Sequence, residues 1–300
     1  MADIKLFRLK PEVKELAVSS VALERELQAL LEQNMQTFFG ITFLQSEYTI
    51  TNGRIDSIGI DENNCPVIIE YKRNISENVI NQGLFYLDWL LNHKGNFEIL
   101  LAKTLGMDKV NEIDWSMPCV ICVANDFTKY DEHAVNQMQR NIRLIRYKMF
   151  AEDLILLEQI NAPNVAPIKD VSAKTSTSVS SGKSYKTFDE QLEVAFSEIQ
   201  KLYENLHGYI MSLGDDISEN RLKLYTAYKK IKNVVCVEIR QKSIVVYLRL
   251  SPSDVELIDG FCRDVTTIGH WGTGDVELTI KDEADFAKAK DYILKAYQMN

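Results

Sequence analysis

The chain has 300 residues, 46% of them hydrophobic and 26% charged, and carries a formal net charge of −9. That length suggests two domains, and the acidic balance excludes a broad non-specific nucleic-acid coat while leaving room for a local groove with basic walls. No apolar run approaches the roughly 20 residues needed to span a bilayer, MADIKLFRLK lacks a secretory core, and five scattered cysteines suit reduced thiols, so the expectation is a cytoplasmic protein without a membrane segment.

In chain order, Leu23, Leu27, Leu30 and Leu31 fall on one stripe and predict a helix over about 20–36, closed by Gly40. ITFLQSEYTI (41–50) and RIDSIGI (54–60) read as strands, DENN as a turn, and PVIIEYK as a third, central strand. Ile80, Leu84, Leu87 and Leu91 predict a helix over 77–93, followed by another over 95–105. MPCVICVAN (117–125) reads as a buried strand, 129–140 as a helix, IRLIRYKMF as a strand and AEDLILLEQI as a last helix. Helix, three strands, helices, strand, helix and strand make an α/β domain with a mixed sheet over 1–160.

Residues 161–187 are rich in Ser, Thr, Ala, Pro and Lys without aliphatic periodicity, and predict a flexible linker. Beyond it, 188–300 reads as a smaller α+β domain. Its expected elements are a long amphipathic helix over 188–211, a hairpin over 233–250 turning near Gln241-Lys242, a helix over 255–265, the strand DVELTI and a terminal helix over 283–298.

The chemistry concentrates around Glu70. Glu70 and Lys72 share one face of the third strand, because residues two apart point the same way. A short turn joins that strand to the one bearing Asp56, so the two carboxylates can meet. Close carboxylates repel unless a cation lies between them, and oxygen ligands favour Mg²⁺ or Mn²⁺. Such an ion activates water and polarises a phosphate, and Lys72 orients the water or stabilises the charge that develops.

Asp56, thirteen intervening residues and then Glu70-Tyr71-Lys72 resemble the D…ExK signature of the PD-(D/E)XK nuclease superfamily. The lead-in Gly53-Arg54-Ile55-Asp56 is similar to the NucS/EndoMS nuclease type. Gln82 and Tyr86 resemble the QxxxY of RecB-like members, and Glu24-Arg25-x-Leu27 resembles the ERxL of Holliday-junction-resolvase-like relatives. The resemblance covers about residues 20–150. It implies a restriction-endonuclease-like fold and a Mg²⁺- or Mn²⁺-dependent hydrolase cutting DNA in repair, restriction or defence. Asp56 and Glu70 would be its metal ligands, with Glu24 and the backbone carbonyl of Tyr71. Lys72 would assist the attacking water, and Gln82 and Tyr86 would line the substrate side. Arg54, Arg73, Arg143 and Arg146 are candidates for phosphate contact, against a plainer reading of the later pair as a solvated strand edge. The rival to catalysis is a non-catalytic nucleic-acid- or protein-binding protein that keeps the nuclease fold.

Plainer readings compete elsewhere. Glu26 rivals Glu24 for the same role, Glu47 reads as structural, and Asp61 and Glu62 are ordinary turn residues. Cys119 and Cys122, three apart on a strand, point to opposite faces and do not read as a zinc site. The C-terminal stretch, with its KNVVCVEIRQKSIVVYLRL hairpin and IGHWGTGDVELTI, resembles the DUF5655 module, which implies a fold and no activity. His270-Trp271-Gly-Thr-Gly reads as a glycine turn anchored by an aromatic. A protein partner for this module, and a homodimer by analogy with relatives that cut two strands, are the assemblies left open.

Overall fold

The structure is a computed structural model and describes residues 4–19, 23–73, 78–151, 153–163, 165–168 and 186–300. The expected helix starts at 20–22 and 77, and most of the expected linker (164 and 169–185), lie outside the described residues.

The strands and helices of the first half are β1 (Leu6–Arg8), β2 (Lys14–Leu16), β3 (Val18–Ser19), α1 (Glu24–Gln33), α2 (Met35–Phe39), β4 (Ile41–Ile50), β5 (Gly53–Asp61) and β6 (Pro66–Lys72). They continue with α3 (Val79–Asn92), α4 (Lys94–Leu105), α5 (Met107–Val110), β7 (Cys119–Ala124), α6 (Lys129–Gln137), β8 (Ile142–Phe150) and β9 (Leu154–Gln159). One sheet runs in the order β3-β8-β7-β6-β5-β4, with β9 on β8. β4, β5 and β6 are antiparallel, whereas β6, β7 and β8 are parallel, so the sheet is mixed. The parallel strands are mostly apolar because helices cover both faces, with the buried charges Glu70, Arg143 and Arg146 as exceptions. Leu27, Leu31, Met35 and Phe39 pack on Val67, Ile69 and Tyr71 from one side. Val79, Leu87, Leu90, Phe97 and Leu101 pack on Ile68, Val120 and Cys122 from the other. Helix α3 lies unusually close to the sheet: a Cβ on Gly83 would come within 2.5 Å of Val120 Cγ1.

The second half contains α7 (Phe188–Val194), α8 (Ser197–Met211), β10 (Ser218–Arg221), β11 (Thr226–Lys229), β12 (Asn233–Arg240), β13 (Ser243–Leu248), β14 (Cys262–Asp264), β15 (Val276–Ile280) and α9 (Glu283–Met299). Its sheet is wholly antiparallel, in the order β10-β11-β12-β13-β15-β14. Helices α7, α8 and α9 cover one face, where Leu202, Leu206 and Ile293 meet Val235, Val237 and Val246. The other face, with Ala227, Cys236, Val245 and Tyr247, is packed together with Cys65 and Met117 of the first half. The two halves therefore share a core cluster.

Several expectations are corrected. AEDLILLEQI is not a helix: residues 154–159 form β9, paired with β8 from Ile145↔Gln159 to Phe150↔Leu154. Ala151 sits at φ +50°, which turns the chain straight back along the edge of β8. A short run of consecutive aliphatic residues fits either period, so tertiary pairing decides. The helix over 188–211 is broken at Ala195 and Phe196, both extended, where the Phe196 amide donates to Gln241 O at 3.1 Å. Residues 255–265 form no helix; Gly260 at φ +74° reverses the chain into β14. The described start of the expected linker is tied down. Asn161 accepts the Leu144 amide at 2.7 Å and donates to Ile142 O at 2.8 Å, and the Ile168 amide donates to Ser116 O.

The IGHWGTG segment is a turn seated on the second sheet. The His270 ring stacks on Tyr247 with centroids 4.2 Å apart, and Gly272, at φ +80°, leaves no room for a Cβ beside Cys236.

Candidate active site

The β5–β6 hairpin brings the two carboxylates together by an unusual exchange of main-chain and side-chain bonds. The last ladder pair recorded toward the open end of the hairpin is Ser57↔Ile69. Beyond it the Asp56 amide donates to Glu70 Oε1 at 3.1 Å, and the Tyr71 amide donates to Asp56 Oδ2 at 3.0 Å. Side chains thus take over where the ladder ends. The Asp56 carboxyl lies close enough to Glu70 to raise it.

Glu70 is 1% exposed. Burial, and then the neighbouring Asp56 charge, push its carboxyl up to about 8; the Asp56 amide and Lys72 oppose the shift. Asp56 is also raised, chiefly by burial, against the Tyr71 amide and Lys72. Two desolvated carboxyl groups this near each other favour a shared proton or a cation between them. The donor set is oxygen only, which fits a hard divalent ion. The fit is to a two-carboxylate site. Among the described residues no group of three or more His, Cys, Asp or Glu side chains forms a metal cluster.

Glu24, the first residue of α1, borders the same cavity as Asp56 and reaches past the end of β6. Its Oε1 meets Lys72 Nζ at 3.4 Å and its Oε2 accepts the Arg73 amide at 3.0 Å. Glu26, its rival for the ligand role, caps the helix by accepting the Leu23 amide at 3.2 Å. The Tyr71 side chain points away into the core under α1, leaving its backbone at the site.

From α3, Tyr86 reaches the same place. It is 7% exposed, and a Cβ on Gly53 would come within 2.8 Å of its ring, so glycine at the start of GRID makes room for it. Burial and the nearby Glu70 raise the Tyr86 hydroxyl above its usual range, while a hydrogen bond from the Arg54 backbone opposes this. Gln82, one turn earlier, has a buried Oε1 with no hydrogen-bond partner among the described residues.

A cavity of about 640 Å³ opens between α1 and the β4–β5 ribbon, bordered by Glu24, Gln28, Glu32, Glu47, Arg54 and Asp56. Gln28 and Glu32 were not legible as site residues. Gln28 Nε2 donates to the Asp56 carbonyl at 3.0 Å and to Glu32, Ser46 and Glu47, and Ser57 Oγ donates to Glu32. The available signal was their spacing from Glu24, at one and two helical turns on one face.

Among the candidate phosphate contacts, Arg54 is exposed and paired with Glu47 at 2.5 Å, and Arg73 is exposed beside the site. Arg143 and Arg146 are placed otherwise, and the expectation for them is corrected. Arg143 is 2% exposed and donates to the carbonyls of Lys230 and Ile231 in the second half. Arg146 is held by Asp126 at 2.9 Å and Glu158 at 2.7 Å. A central strand of the sheet has no solvated edge for them to line.

Fold and site together define a nuclease-type α/β domain joined to an antiparallel module. Residues 23–109 match the Endonuclease NucS C-terminal domain, and residues 188–300 match DUF5655, a domain of unknown function. The chain belongs to the family of an uncharacterized protein of Haemophilus influenzae, with which it is 34% identical over 284 residues, 93% of this chain and 94% of that one. Among solved structures, a repair endonuclease from Pyrococcus abyssi is 17% identical over 47% of this chain, with a TM-score of 0.29. A complex of EndoMS with double-stranded DNA is 21% identical over 47% of this chain, with a TM-score of 0.27. The match spans about three-fifths of each of those chains, 61% and 59%. Among the described residues no helix is long and apolar enough to cross a membrane.

Proposed function

We propose that this protein is a metal-dependent nuclease that hydrolyses phosphodiester bonds of DNA. The observation that carries the reading is the facing pair Asp56 and Glu70, each accepting a backbone amide of the other strand and each resisting ionisation. Asp56 and Glu70, with the Tyr71 carbonyl, would hold Mg²⁺ or Mn²⁺. Such an ion polarises the phosphate and makes water nucleophilic at neutral pH. Lys72 shares a strand face with Glu70 and is held at its tip by Glu24, so its ammonium is positioned to orient water and offset charge growing on the phosphate. Gln82 and Tyr86 line the α3 side, and Arg54 and Arg73 offer exposed cations for backbone phosphates.

A second reading, a binding protein that keeps the fold without chemistry, draws on the Glu24–Lys72 pair, which occupies the lysine that the reaction needs. One cleavage assay separates them. Wild type, Asp56→Ala and Lys72→Ala are incubated with linear, circular, single-stranded and branched DNA in Mg²⁺, Mn²⁺ or EDTA. The nuclease reading expects metal-dependent cutting that both substitutions abolish. Equal cutting by wild type and Asp56→Ala would sink it, whereas binding that survives EDTA without cutting supports the second reading.

A further inference from the structure

The turn that joins the two carboxylate strands is buried in the second half of the molecule. Asp61 Oδ1 accepts the amides of Asn63 and Cys65, both at 2.9 Å, which shapes the turn. Its other oxygen faces Lys229 Nζ from β11 at 3.3 Å, with both side chains almost wholly buried. Glu62 accepts from Arg249 and from the Asn233 amide. The Asn63 side-chain carbonyl accepts from Tyr225 Oη at 2.9 Å and Asn233 Nδ2 at 2.6 Å. An ordinary solvent-facing hairpin turn needs none of these partners.

At the opposite end of the hairpin the Asp56 and Tyr71 amides bond to carboxylates instead of to the neighbouring strand. Those two bonds form only in one register of β5 on β6, and a slip of one residue would send every side chain to the other face. On its other edge β5 pairs with β4 through an irregularity between Phe43 and Gln45. The turn, about 16 Å from Asp56 at roughly 3.3 Å per residue, is thus the most completely fixed part of the hairpin.

We propose that the C-terminal domain is a built-in anchor for this hairpin, and that Lys229 is a positioning residue that sets Asp56 against Glu70 from the far end. This rests on the reading of Asp56 and Glu70 as the working pair and gives the DUF5655 domain a task inside the same chain.

The test is amide-resolved hydrogen exchange on the full chain, metal-free and without substrate, comparing wild type with Lys229→Met, Lys229→Arg and Asp61→Asn. In Lys229→Met the Asp56 and Tyr71 amides should accelerate at least about tenfold more than Ile121 in β7 and Val246 in β13, whose exchange follows global stability. Lys229→Arg should restore most of the protection. Asp61→Asn keeps the turn's acceptor and removes the charge that Lys229 answers, so it gives the same reading should Lys229→Met fail to fold. Unchanged rates at Asp56 and Tyr71, or an equal acceleration of every amide, would overturn the proposal. Failure of the nuclease reading shows separately, as absence of metal-dependent cutting by wild type.

Discussion

The two ends of the β5–β6 hairpin make opposite use of the same chemistry. At the turn, Asp61 is buried against Lys229, and the backbone amides of Asn63 and Cys65 satisfy its second oxygen. At the open end, half-buried Asp56 and buried Glu70 sit side by side, and their neighbouring cation, Lys72, is drawn toward Glu24. Burial of a charge is tolerated where partner and hydrogen bonds are complete. Where they are not, the group resists ionisation and waits for a ligand. One hairpin thus carries a finished ion pair that holds structure and an unfinished one suited to function. Perturbed carboxylates in a cavity are candidates for function, whereas a closed pair is not.

The comparison is broken most directly by removing one member at each end. Asp56→Ala should reduce cleavage to background while thermal unfolding shows an intact fold, because the substitution also relieves the repulsion on Glu70. Lys229→Met should do the reverse to stability. It leaves Asp61 buried and uncompensated, which costs about 3–5 kcal/mol, read as a lower midpoint in urea unfolding. A midpoint within experimental scatter of wild type would mean that the turn takes up water and is not a closed site.

How much of this was legible in the sequence follows the range of the interactions. The strands β4, β5 and β6 and the helix α3 were readable from alternation and helical spacing, as were the relations among Asp56, Glu70, Lys72, Gln82 and Tyr86 on neighbouring elements. Strand β9 was misread because Leu154–Leu157 carries no decisive period, and only the edge of β8 makes it a strand. Arg143 looked like a surface cation because its acceptors, the Lys230 and Ile231 carbonyls, lie almost ninety residues away. Asp61 and Glu62 passed for common turn residues for the same reason: their partners Lys229 and Arg249 come from the other half. Local pattern shows the motif, and the contacts between halves show what supports it.

A smaller effect separates the ends by pH. Glu70 stands at about 8 in the fold against an ordinary 4.5, so the native state favours its protonated form. That contribution to stability is complete below about pH 4.5 and is lost as pH rises through about 8. In metal-free protein, Glu70→Gln should therefore match wild type near pH 4.5 and exceed it by about 2–4 kcal/mol at pH 9. Adding Mn²⁺ at pH 9 should raise the melting temperature of wild type and leave that of Glu70→Gln nearly unmoved, since a ligand stabilises only the state that binds it. A Glu70→Gln protein that gains nothing at pH 9 would show that water or Lys72 already answers the charge.

The smallest expected change in stability tests the link between the pair and its lysine. Glu24 is 44% exposed at its side chain, and its contact with Lys72 is 3.4 Å long. An ion pair this open is worth less than about 1 kcal/mol, so Glu24→Gln should scarcely move the unfolding midpoint. Glutamine keeps an oxygen for the Arg73 amide and removes the charge that draws Lys72 aside. If Glu24 holds Lys72 in its working place, cleavage by Glu24→Gln should fall toward that of Lys72→Ala although stability is unchanged. If Glu24 instead restrains Lys72, cleavage should rise. The sign of that change tells whether the Glu24–Lys72 pair is part of the site or a brake upon it.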